Sequence, residues 1–159
     1  MRKNQIKIIK TEKLDEVLNF RSMLASCLPS LKKKTTKKYL KNRIRGKEEG
    51  MIKAVLGKKV LGFLTWLKES KAVAYIRWLV VDKKYQRNQV GSRLMEEAIK
   101  ELTKRGFKKV WAKIKNDNFR ALALAVKFHF VIEGIWKEDR FFTVIVAKNL
   151  VKSESMTHQ

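Results

Sequence analysis

The sequence predicts a mixed α/β fold: a central, mostly antiparallel sheet of about six to seven strands with helices on both faces. Three observations carry this. The hydrophobic period changes along the chain in the order strand, two helices, three strands, helix, strand, helix, two strands. A largely apolar run at 76–81 enters a polar loop and then, directly, an amphipathic stretch from Val90. No Ser/Gly/Pro-rich break divides the 159 residues, which are 45% hydrophobic with one proline and seven glycines. One domain over residues 1–150 is therefore expected, with a frayed tail over 151–159.

The elements follow in order. Gln5 to Lys10 alternates as a strand does, and Thr11 with Glu12 and Asp15 reads as a helix cap with an acidic first turn. That helix is expected from Glu12 to Leu28, its stripe made by Leu14, Val17, Leu18, Met23 and Leu24, before Pro29 blocks continuation. Cys27 lies in this apolar run and reads as a small core residue. Lys34 to Arg45 reads as a second, strongly basic helix with only Tyr39, Leu40 and Ile44 as large apolar side chains.

Short β-branched runs at Met51–Leu56, Val60–Leu67 and Val73–Val81 predict three antiparallel strands. Leu94, Met95, Ala98, Ile99 and Leu102 recur at helical spacing, so a helix is expected from Val90 to Arg105, stopped by Gly106. A strand at Lys109–Ile114, a helix at Asn118–Phe128 and a closing pair at Phe130–Trp136 and Phe141–Leu150 complete the pattern.

The junction at 80–94 is where chemistry is expected. Unpaired N–H groups in the first helical turn and the positive end of its dipole favour an anion, and Gly91 lets a phosphate approach with no Cβ in the way. Arg87 and Arg93 add charge there. By itself a strand–loop–helix with one glycine is a weak signal. Two motifs strengthen it. Gln86-Arg87-Asn88-Gln89-Val90-Gly91, with Tyr85 and Leu94 around it, resembles the Q/R-x-x-G-x-G/A motif of the Gcn5-related N-acetyltransferase (GNAT) family, with Gln89 in place of the inner glycine. Asn118 to Phe130 resembles the family's N-x-x-A-x-x-L-Y-x-x-x-G-F helix, matched at Asn118, Ala121, Leu124 and Phe130, while Ala125 replaces the tyrosine and His129 the glycine.

The resemblance implies a GNAT-like fold and acetyl-CoA as co-substrate, bound as coenzyme A in this turn. It implies pantetheine contacts from Leu79, Val80 and Val81, on a strand that splays from its parallel neighbour, and from Asn118. Pyrophosphate contacts are implied for the turn formed by Gln86, Arg87, Asn88, Gln89, Val90, Gly91 and Ser92. Ala121, Arg120 and Lys127 are implied beside the cofactor, the two bases near its phosphates. The implied reaction is acetyl transfer to a primary amine, such as a protein N-terminus, a lysine or a small-molecule amine, by direct attack in a ternary complex.

Catalytic side chains are harder to assign. The family's usual glutamate position holds Tyr75 and its usual tyrosine position holds Ala125. Tyr75 shares strand parity with Leu79, which aims it at the acceptor or into the core rim. A backbone N–H, from Val80 or Val81, is expected to meet the oxyanion, because that donor does not depend on side-chain identity. Two alternatives stay open: a coenzyme A-binding module without transferase activity, and a basic nucleic-acid-binding domain.

The formal net charge of +23 suits either a polyanionic partner or a Lys-rich surface of the thermophile type. Nucleic acid is disfavoured, since no zinc-finger, aromatic RNA-binding or G-x-x-G signature accompanies the charge. Two histidines and one cysteine are too few and too scattered for a metal site. No run of about 18 apolar residues is present and residues 1–10 lack a signal core, so a cytoplasmic protein with no membrane partner is expected. A homodimer paired at a sheet edge is the assembly considered.

Overall fold

The computed structural model describes residues 5–11, 19–27, 38 and 49–151. Seven strands form one sheet: β1 (Ile6–Thr11), β2 (Glu49–Leu56), β3 (Lys59–Lys68), β4 (Val73–Val81), β5 (Lys109–Lys115), β6 (Val131–Glu138) and β7 (Phe141–Asn149). Their spatial order is β1-β2-β3-β4-β5-β7-β6. All neighbours are antiparallel except β4 and β5, which are parallel. The described helices are α1 (Arg21–Cys27), α2 (Val90–Lys104) and α3 (Phe119–Lys127). The expected second helix at 34–45 lies outside the described residues apart from Lys38, as do residues 12–18 of the expected first helix and the tail beyond Val151.

Both faces of the sheet carry a core. On one, Leu94, Ala98 and Leu102 of α2 and Ala125 of α3 pack with Ile52, Leu64, Ala74, Ile76 and Val110. On the other, Leu24 of α1 sits under Met51, Phe63, Trp78 and Val80. Each fully buried leucine in these layers is worth about 1.5–3 kcal/mol.

Helix α2 ends as its sequence requires. Gly106 takes φ 90°. Its N–H reaches the Thr103 carbonyl at 3.0 Å and the Phe107 N–H reaches Leu102 at 3.1 Å, the paired bonds of a Schellman cap. Helix α3 ends the same way, with His129 at φ 61° and Phe130 N–H bonded to Ala125 at 2.9 Å. His129 thus occupies a left-handed position without the glycine that suits it.

One irregularity on β4 positions everything that follows. Opposite β3, Thr65 pairs with Trp78 but Trp66 pairs with Ile76, so Arg77 is an extra residue, a β-bulge. Ala74 and Ile76 face α2, whereas Trp78 and Val80 face α1. Without the bulge, all four would share a face. The sequence-based parity of Tyr75 with Leu79 is therefore corrected. Leu79 and Val81 pack toward the α2 core, and Tyr75 lies across the sheet, its ring 4.5 Å from that of Trp111.

Arg77 uses its displaced position to meet Glu49 at 2.7 Å, with side chains only 3% and 1% exposed.

Candidate functional site

The parallel pairing of β4 with β5 covers only Val73–Ile76 against Lys109–Ala112. Beyond it β5 continues to pair with β7 through Lys115, while β4 follows β3 to Val81. The two strands diverge, and a cleft of about 380 Å³ opens where they part. Its lining comes from both sides of the sheet: Leu79, Val81, Gly91 and Leu124 from the α2 side, Val80 and Cys27 from the α1 side. The cleft therefore passes through the sheet.

The backbone directions on β4 follow from one bond. Asp82 N–H donates to the Leu61 carbonyl at 2.8 Å. Alternation in an antiparallel ladder then turns the N–H and carbonyl of Val80 toward Phe63, its register partner on β3. The groups of Leu79 and Val81 turn toward the opening. The Val81 carbonyl is already taken, accepting from Gln86 Nε2 at 3.1 Å and lying 3.2 Å from Cys27 Sγ. The N–H expected from Val80 as oxyanion donor thus points away from the cleft. Leu79 and Val81 are the residues whose N–H groups face it.

At one mouth stands the turn before α2. Arg87 and Gln89 both adopt positive φ, 68° and 62°. The position where glycine would suit keeps its left-handed backbone with glutamine in place. Gln89 precedes α2 without a side-chain cap, and the first helical bond runs from Arg93 N–H to the Gln89 carbonyl at 3.0 Å. The N–H groups of Val90, Gly91 and Ser92 have no partner within the helix. A Cβ on Gly91 would meet only Leu124 Cδ2 and Val81 Cγ2, both at 3.8 Å, so the bare glycine keeps open space at the turn.

Helix α3 closes the other wall. Asn118 caps it, its Oδ1 accepting from Ala121 N–H at 3.2 Å. Arg120 donates to the Gln86 side-chain oxygen, and Lys127 Nζ donates to Ser92 Oγ at 2.9 Å. Both bonds tie α3 to the turn and gather positive charge there.

Of the residues singled out from the sequence, Leu79, Val80, Val81, Gln86, Arg87, Gln89, Val90, Gly91, Ser92, Asn118, Arg120 and Ala121 line this one cleft. Asn88 does not, since its side chain turns back to the Tyr85 carbonyl at 3.4 Å. Lys127 reaches the turn through Ser92 only, and Tyr75 stands apart with Trp111.

The profile of the acetyltransferase (GNAT) family matches residues 17–130. The chain belongs to that family. No curated protein matches this acetyltransferase closely enough to count as a relative. Solved structures share its fold at low identity. An aminoglycoside 6'-N-acetyltransferase from Enterococcus faecium is 16% identical, with TM-score 0.74 over 94% of this chain and 99% of that one. The ribosomal-protein-S18-alanine N-acetyltransferase from Escherichia coli is 19% identical, with TM-score 0.69 over 97% and 99%. A GNAT family acetyltransferase from Elizabethkingia anophelis, solved with acetyl-CoA bound, is 15% identical, with TM-score 0.72 over 92% and 99%.

Sequence reasoning missed three lining residues of this acetyltransferase: Cys27, Tyr85 and Leu124. Tyr85 and Leu124 stand inside the two motifs, which is the signal that could have found them. Cys27 carried no signal, because its place depends on how α1 packs across the sheet. Ala125, in the motif's tyrosine position, is buried in the core. Among the described residues, no group of three or more His, Cys, Asp or Glu side chains is placed to hold a metal, and no helix is long and apolar enough to cross a membrane.

Proposed function

We propose that this acetyltransferase takes acetyl-CoA as acyl donor and passes the acetyl group to a primary amine by direct attack in a ternary complex. The observation that carries the reading is the through-sheet cleft between the diverging ends of β4 and β5, with the uncapped α2 turn at its mouth. In support, the Elizabethkingia structure of the same fold holds acetyl-CoA.

The pyrophosphate would rest on the N–H groups of Val90, Gly91 and Ser92, with Arg87, Arg120 and Lys127 supplying charge. The pantetheine arm would lie along Leu79 and Val81, its amides pairing with backbone groups that β5 leaves unmatched. Asn118, with Oδ1 engaged in its cap, has its amide nitrogen to offer the same arm. The thioester carbonyl would take an N–H from Leu79 or Val81.

In the reaction, the neutral amine attacks the thioester carbon, the C–S bond breaks and coenzyme A leaves as the thiolate. The amine proton passes to water, and water protonates the sulfur. Among the described residues the lining contains no Asp, Glu or His, and water would fill both roles. The rate should therefore rise with pH as the free amine becomes more abundant. The acceptor enters from the α1 face, since the cofactor mouth lies on the other. An acceptor with negative charge near its amine, such as an acidic peptide, suits a chain of +23 better than a polycation does.

A second reading, a coenzyme A-binding module without transfer, is favoured by Tyr75 and Ala125 in the positions where the family carries its catalytic side chains. Calorimetric titration with acetyl-CoA, followed by amine acceptors, separates the two. Saturable binding lost in Gly91→Trp, with acceptor-dependent thiol release, supports the enzyme. Binding without release supports the module. No binding by the folded wild type rejects both and promotes the basic-surface alternative.

A further inference from the structure

Strand β5 carries three lysines on the face from which the acceptor enters, and none of them lines the cofactor cleft. The face follows from packing. Ala112 and Ile114 lie against the α2 core, so alternation sends Lys109, Trp111, Lys113 and Lys115 to the opposite face. Tyr75 joins them there, its ring 4.5 Å from that of Trp111. Helix α1 covers Met51, Phe63, Trp78 and Val80 on this side, a cluster with no member on β5.

The three lysines differ in what they meet. Lys109, at the closed end of the parallel pair, holds Glu133 at 2.8 Å. Lys113 and Lys115 follow Ala112, the last residue of β5 paired with β4, and so stand where the two strands part. Among the described residues neither meets a carboxylate. Lys113 Nζ lies 6.0 Å from the Trp111 ring centre, and Lys115 Nζ 4.2 Å from that of Phe141. Glu69 accepts from Trp111 Nε1 rather than from either lysine. Two cations without counter-ions, steadied over aromatic rings, thus flank the acceptor entrance.

We propose that Lys113 and Lys115 select the acceptor, and that it is a peptide with acidic side chains at alternate positions near its amine. This deepens, and rests on, acetyl transfer through the cleft. Spacing argues for the peptide. Side chains two apart on one face of a strand stand about 6.7 Å from each other, and an extended peptide repeats at the same interval. Its alternate carboxylates meet both lysines at once, and Trp111 and Tyr75 give its apolar groups a floor. A long polyanion is disfavoured, because Glu69, Glu133 and Glu138 surround the pair and repel it.

The test couples binding with transfer. Three C-terminally labelled hexapeptides with a free amine carry glutamate, alanine or lysine at their second and fourth positions. Each is titrated against coenzyme A-loaded protein by fluorescence anisotropy, and initial rates with acetyl-CoA give its kcat/KM. The wild type should prefer the acidic to the alanine peptide about tenfold in both readouts, each exposed ion pair supplying about threefold. Lys113→Ala and Lys115→Ala should each remove about threefold, and together the whole preference. Lys104→Glu, on α2 across the sheet, removes the same two units of charge as that double variant and should keep the preference. The two should bind acetyl-CoA alike and melt with the wild type. Equal binding of acidic and alanine peptides by the wild type overturns the proposal, whether or not transfer is seen. So does a preference that survives the double variant. Oligouridine that outcompetes the acidic peptide and weakens with the same substitutions also overturns it, making the face a nucleic-acid site. Lysine-dependent binding of the acidic peptide without its acetylation upholds recognition by the pair and strikes the transferase reading alone.

Discussion

His129 and Gly62 show how much hangs on single backbone positions. His129 holds φ 61° at the end of α3, a conformation costing an L-residue about 1–2 kcal/mol, of which glycine returns part through its looser unfolded chain. His129→Gly should therefore raise stability by roughly 0.5–1 kcal/mol, measured by urea denaturation. Gly62 is the reverse case. A Cβ there would come 2.6 Å from the Val80 carbonyl oxygen, a backbone atom that cannot swing aside. Gly62→Ala should cost about 1–3 kcal/mol and displace β4 beside the cleft. Weakened acetyl-CoA binding in the surviving folded protein would be the second sign; an unchanged melting temperature would contradict the argument.

At the scale of elements, two ion pairs hold strands and helices in register. Arg77 and Glu49 are both nearly fully buried, so removing one partner leaves a charge stranded. Arg77→Met should cost about 3–5 kcal/mol, and adding Glu49→Leu should recover much of it. Chemical denaturation of the two variants checks this, and a double variant no better than the single one would refute it.

The second pair joins β1 to α2. Glu101 accepts from Lys10 and, at 2.7 Å, from Arg105. The Lys10 bond is the larger cause that holds the Glu101 carboxyl below its ordinary value of 4.5, with Arg105 assisting and burial opposing. A carboxyl whose value is lowered by folding stabilises the protein above 4.5 and loses that contribution as pH falls through the lowered value. Thermal melts between pH 6 and pH 3 should show an acid loss of stability that Glu101→Gln reduces.

For the whole molecule, charge should govern ligand binding. An anionic cofactor approaching a +23 surface gains from the long-range field, and salt screens it. Raising ionic strength should weaken acetyl-CoA binding mainly by slowing association, readable by stopped-flow, whereas a salt-independent association rate would mean that the net charge does not steer the cofactor.

The order and type of the described elements were legible in the sequence because each depends on local period. Leu94, Ala98 and Leu102 mark one helix face wherever the helix sits, and Gly106 stops that helix by its own backbone freedom. The cleft's turn and the cap at Asn118 were legible for the same reason: both are contiguous segments with motif spacing. What only tertiary structure decided is where a neighbour far along the chain changes a residue's meaning. The bulge at Arg77 arises from pairing with β3, and it moves Tyr75 to the face opposite Leu79. The Val80 N–H turns to β3 because of the same ladder, leaving Leu79 and Val81 facing the opening. Cys27 lines the cleft because α1 packs across the sheet from the other side, and β6 becomes an exposed edge because β7 takes the place beside β5. Period is a property of consecutive residues, but face, edge and cleft are set by pairings between segments distant in sequence.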